Sequence, residues 1–177
     1  MACCFAATIV RRRGSAFMID LSRVAMIGLV GIASTAYAGD TRPSPTAADL
    51  MQTGRAVYLQ KCASCHGVHG EGAPHWQRPD AQGEMPPPPH DANGHTWKHS
   101  DAMLYRLVHD GWRDPFNKTS RLTMPAFAGT LKPVEIRAVI DYIKTMWNAK
   151  ERAFQREESR HAPFPPEARR MSVKTRE

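Results

Sequence analysis

The sequence predicts an all-α protein of one domain with extensions at both ends and no substantial sheet. Three observations point there. Apolar residues recur at helical spacing in three separate segments, and no alternation of strands with helices accompanies them. The chain has 177 residues, the size of a single domain rather than a multidomain enzyme. It carries 42% hydrophobic and 23% charged residues, close to ordinary globular usage, so most of it should fold. Lys plus Arg number 24 against 17 Asp plus Glu. No block of five or six basic residues accompanies that excess, and nucleic-acid binding has no specific support.

The elements follow in chain order. Val24 to Ala33 is an uncharged, mostly apolar stretch that follows Arg23 and ends in Ala36-Tyr37-Ala38, a small-x-small sequence. This is the pattern of a secretory signal cleaved after Ala38. A spanning helix needs about 20 apolar residues, and the polar run from Gly39 begins too soon, so a membrane anchor follows only if the segment stays uncleaved. Residues 1–38 are thus read as a signal peptide and the chain as exported, to the periplasm. Met18 would open a more conventional signal, which makes residues 1–17 a candidate start-site artefact. Residues 39–46 form a linker.

The first helix is expected over residues 46–60, with Thr46 as N-cap, Asp49 in the first turn, and Leu50, Met51, Gly54, Val57 and Tyr58 on one face. Gly54 beside the aromatic Tyr58 permits a close crossing by another helix carrying Tyr142 or Ile143. The helix runs into Cys62-Ala63-Ser64-Cys65-His66. Cleavage would remove Cys3 and Cys4, leaving these two cysteines as the thiols of the exported chain. CxxC followed at once by His is the attachment signature of a c-type haem. Two thiols at that spacing reach the two vinyl groups of a porphyrin edge, and the next imidazole falls under the iron as a ligand. A thioredoxin-like site would want a preceding strand, and a structural zinc would want two further ligands at matched spacing. The sequence has neither.

Between residues 66 and 99 lie five further histidines, His69, His75, His90, His95 and His99. His90, His95 and His99 are candidates for a second metal such as copper, which imidazole suits. The weightier reading has His95 and Trp97 holding loop backbone or a haem propionate and His99 beginning a helix. Pro86 to Pro89 should be extended and stiff, a surface strap. A helix follows over Asp101–Asp110, capped by Ser100 and ended by Gly111. The last strong helix spans Pro133–Trp147, with Pro133 at its first position and Ile136, Val139, Ile140, Ile143 and Trp147 in one stripe. Residues 149–177 are rich in Arg and Glu and read as a charged, partly disordered tail that begins as a solvated helical extension.

Over residues 47–148 the chain resembles the class I c-type cytochromes, specifically the small bacterial periplasmic single-haem cytochromes. The residues that carry the resemblance are Gly54-x-x-x-Tyr58, Cys62-x-x-Cys65-His66, Met124-Pro125 and the final helix. It implies a cytochrome c-like fold, three to five helices wrapped around one covalently attached haem. It implies haem thioethers at Cys62 and Cys65, with His66 and Met124 as the axial iron ligands. Met85, which also precedes a proline, competes with Met124, as do a histidine or an open position. Met103 and Met146 are expected to fill core. His/Met ligation raises the reduction potential and suits electron transfer. The implied function is an electron carrier, not an enzyme, with redox proteins of the periplasm or inner-membrane respiratory chain as donor and acceptor. The alternative is a haem subunit or redox catalyst, as a dehydrogenase partner or with a haem-plus-copper site, whose distal position is open or displaceable.

Overall fold

A computed structural model describes residues 45–169 of the chain. The signal segment, most of the linker and residues 170–177 lie outside the described residues. Helix α1 spans Ala47–Val57 and opens on a capping box: the Thr46 hydroxyl accepts from Asp49 N, and the Asp49 carboxylate accepts from Thr46 N. It continues without a break through a π turn, Tyr58–Cys62, into α2, Ala63–His66. Helix α3 covers Asp101–Asp110, with Ser100 as its cap, and α4 covers Pro133–Ile143. The last predicted helix is shorter than its hydrophobic stripe, because Lys144–Met146 tightens into a 3₁₀ turn before Trp147. Among the described residues there is no strand, only an isolated antiparallel bridge between Trp112 and Met124.

Helices α1 and α4 cross at Gly54. A Cβ there would stand 2.0 Å from the Ala138 carbonyl oxygen and 3.0 Å from Tyr142 Cβ, so the absence of a side chain is what lets the backbones touch. Tyr58 packs on Tyr142 one turn later, ring centroids 5.5 Å apart. Leu104, Tyr105 and Val108 of α3 join Ile136, Val139, Ile140 and Ile143 of α4 in the core. Helical spacing dictates this, since each set falls on one face of its helix.

The charged stretch after Trp147 begins as a helical extension, as expected, but one face of it is buried rather than solvated. Asn148 caps helix α5, Ala149–His161, and a short helix α6 follows over Pro166–Arg169. Gln155 and Ser159 of α5, together with Phe164 and Ala168, are buried. The composition misled because the buried face of α5 is polar: it is satisfied by hydrogen bonds rather than by apolar packing.

Candidate haem-binding site

The π turn that follows α1 delivers Cys62, and α2 delivers Cys65 and His66. Tyr58 is fully buried and its hydroxyl donates to the Gly67 carbonyl at 2.8 Å, which pins the end of the helix that carries the cysteines. Burial raises the Tyr58 phenol well above its ordinary pKa, so it remains a donor. Cys62 is buried and Cys65 exposed, both as free thiols. Burial, with the neighbouring Cys65 adding to it, pushes the Cys62 thiol up to about 11.

His66 Nδ1 lies 2.8 Å from the Pro88 carbonyl oxygen. A carbonyl only accepts, so Nδ1 carries the proton and Nε2 keeps its lone pair for a metal. Burial lowers the imidazole pKa below its ordinary 6.5, which favours the neutral form that ligates. Pro86–Pro89 is therefore not merely a surface strap. Pro89 is fully buried, and Pro88 orients the imidazole.

A cavity of about 400 Å³ opens beside these groups, a volume suited to a cofactor. Cys62, Cys65, His66, Met85 and Met124 all line it, with Leu104, Leu107 and Val108 of α3 and Val139, Ile140 and Ile143 of α4 as apolar walls. Met103 also lines this cavity instead of filling the core, whereas Met146 packs on the core as expected.

Met124 sits on a loop fixed through its backbone. Its amide donates to the Trp112 carbonyl at 2.8 Å, and its carbonyl accepts from the Trp112 amide at 3.0 Å. Gly111 makes room for this loop: its φ is +78°, and a Cβ would stand 2.7 Å from the Met124 carbonyl oxygen. Phe127 N and Ala128 N then donate to the Val108 and His109 carbonyls. These are end carbonyls of α3 that have no partner within the helix.

Met85 is held on another segment, its amide donating to Asn117 Oδ1 at 2.6 Å. The neighbouring Glu84 is fully buried, and its Oε1 accepts from Thr119 N at 2.8 Å. Glu84, Asn117, Pro88 and Trp112 escaped the sequence reading because their roles run through backbone atoms at distant positions. Only the Pro run drew notice.

The three candidate second-metal histidines line the same cavity but do not form a metal-holding group. The His90 ring stacks on His66 at 4.0 Å, and its Nδ1 meets Thr96 Oγ1 at 3.1 Å. His95 stands edge-on to His99 at 5.4 Å and stacks on Trp76 at 5.5 Å. Among the described residues no group of three His, Cys, Asp or Glu is placed to hold a metal ion. As expected, Trp97 holds loop backbone, its Nε1 donating to Gly94 O at 3.2 Å. His99 ends the preceding 3₁₀ turn, Thr96–Lys98, and Ser100, not His99, caps α3.

Paired thiols, a neutral imidazole with a free Nε2, thioether side chains and apolar walls around one cavity form the donor set that suits a covalently held iron porphyrin. The family model for cytochrome c matches residues 51–147, more than half of the 177-residue chain. The chain belongs to the cytochrome c family. It is a haem-binding electron-transfer protein, and such proteins exchange electrons with redox partners. No curated protein matches the chain. The matched span of this cytochrome ends at Trp147, so α5 and α6 lie beyond it.

Proposed function

We propose that this cytochrome is an exported, periplasmic carrier of one electron on a single haem, with Cys62 and Cys65 as thioether links and His66 and Met124 as axial ligands. The observation that carries the reading is the Pro88 carbonyl on His66 Nδ1, which leaves Nε2 as the ligating nitrogen of a residue lining the cavity. A bound haem supplies a one-electron iron couple. The chain's residues hold that group still and exclude water from it. Pro88 fixes the imidazole plane, and the apolar faces of α3 and α4 keep the surroundings of low polarity.

Met124 is preferred over Met85 because its backbone is paired on both sides to Trp112 and its side chain packs against the core cluster. Ligands held in one place keep reorganisation small when the charge of the site changes. Export rests on the apolar stretch and small-x-small ending of residues 24–38. Among the described residues no helix is long and apolar enough to cross a membrane.

Optical spectra of protein purified from a periplasm with active haem attachment test the reading. Low-spin c-type spectra with the weak sulfur-to-iron band and slow cyanide entry are expected. A high-spin ferric spectrum with immediate cyanide binding would overturn Met124 ligation and the simple carrier. Absence of covalent haem would overturn the whole reading.

A further inference from the structure

Helix α3 is tied at both ends to other segments of the chain. At its C-terminal end it carries the Met124 loop, through Phe127 N on Val108 O at 3.1 Å and Ala128 N on His109 O at 3.0 Å. Along its length Met103, Leu104, Leu107 and Val108 form cavity wall. At its N-terminal end the first backbone amides have no partner within the helix, and part of that need is met by the segment beyond Trp147. Asp101 N donates to Ser159 Oγ at 3.0 Å, and Ala102 N donates to the Ala162 carbonyl at 3.0 Å.

Gln155 completes the joint. It is 2% exposed, and its Nε2 donates to Asp101 Oδ1 at 2.7 Å and to Ser159 Oγ at 2.8 Å, with the His99 carbonyl at 3.4 Å. Buried polar groups this well satisfied specify one arrangement, because any displacement leaves an unpaired group in the interior. Phe154 packs edge-on to Trp97 at 5.5 Å, holding the same joint from the side of the His95–His99 segment. Phe164 is buried under the Lys144 ammonium, which also pairs with Asp101 at 2.7 Å.

A ten-residue helix is a rod of about 15 Å, stiff on this scale. Fixing one end therefore fixes what hangs on the other. We propose that the C-terminal extension, through Gln155 and Ser159, sets the position of α3 and so of the Met124 loop and the cavity wall. Gln155 and Ser159 are positioning residues: neither lines the cavity. The consequence for Met124 as an iron ligand rests on the reading above, whereas the coupling of the extension to the loop does not.

The test uses the full haem-loaded chain with Gln155→Met, Ser159→Ala and Ser159→Thr, beside Thr46→Ala at the distant cap of α1. Amide hydrogen exchange at Met124, Phe127 and Ala128 reports the loop whether or not Met124 binds iron. Cyanide entry into the ferric protein reports the ligand. Protection of the three amides is expected to fall at least about tenfold in Gln155→Met and Ser159→Ala, with cyanide entry accelerated by a similar factor. Ser159→Thr keeps the hydroxyl and should restore both, and Thr46→Ala should move neither.

A merely structural extension would lower the melting temperature while leaving exchange and cyanide entry within about twofold of the parent, and that result would overturn the proposal. So would equal acceleration by Thr46→Ala. If Gln155→Met does not fold, the Ser159 pair decides. A parent protein that is high-spin from the start refutes Met124 ligation, and the amide exchange still decides the coupling.

Discussion

Replacing Gly54 by Ala isolates the helix crossing that carries the attachment site. The new Cβ would stand 2.0 Å from the Ala138 carbonyl oxygen and 2.6 Å from its carbon. A comfortable carbon-to-oxygen approach is about 3.3–3.6 Å, so α1 and α4 would have to part by more than about 1 Å. Both obstructing atoms are backbone, and no side chain can swing away to absorb the clash. Overpacking of this kind costs about 1–3 kcal/mol, and the severity here places it at the upper end. Alanine returns about 1 kcal/mol of helix propensity, leaving a net loss of roughly 2 kcal/mol. For a unit of this size that is a fall of roughly 8 °C in melting temperature. Gly129→Ala is the control, since nothing lies within 4 Å of a Cβ there. Thermal unfolding of the two haem-loaded variants, followed by far-ultraviolet circular dichroism, makes the comparison. Gly54→Ala melting within about 2 °C of Gly129→Ala would refute the argument that this crossing is backbone on backbone.

Three further outcomes are expected. Met124→Ala should lose the sulfur-to-iron band and admit cyanide faster by more than about tenfold, whereas Met85→Ala should leave both unchanged; the reverse pattern would reassign the ligand. Tyr58→Phe leaves the Gly67 carbonyl without its 2.8 Å donor and should cost about 1–2 kcal/mol in urea unfolding, with no change in spin state. Asp80 is held below its ordinary 3.8 by the amide of Glu84 and by Arg121 and the amide of Gln82. Its contribution is complete above pH 3.8 and is lost as pH falls through the lower folded value, so Asp80→Asn should flatten the acid limb of the stability profile there. An unchanged limb would show that these bonds do not persist in solution.

Much of the scaffold is legible in the sequence because it depends on local pattern. Thr46, Ser100 and Pro133 open their helices where cap chemistry places them, and Gly54 and Tyr58 mark the crossing before any contact is seen. The spacing from Cys62 to His66 carries its own chemistry. Two features depend on more than local pattern. The helical start after Trp147 is legible but its burial is not, because Gln155 and Ser159 bury amide and hydroxyl groups, which no hydropathy pattern registers. The His90, His95 and His99 spacing permitted a metal site, but His90 is committed to stacking on His66, and spacing says nothing about where a loop turns its rings.

What fixes the two expected axial ligands was illegible for a further reason: nearly all of it is main chain. The Pro88 carbonyl orients His66, the Trp112 amide and carbonyl hold Met124, and the Val108 and His109 carbonyls hold the loop that follows. Every residue type carries those same groups, so composition cannot announce them. For an electron carrier this is a physically sensible way to build the site. Backbone hydrogen bonds within a packed frame do not change partners by rotamer flips, and the donors and acceptors involved stay neutral across the physiological range. Side chains anchored this way, if they ligate as proposed, keep their positions when an electron arrives or leaves. A substitution that disturbs side chains alone should then alter stability before it alters the redox site, unless, like Gln155→Met or Ser159→Ala, it frees the helix on which the Met124 loop hangs.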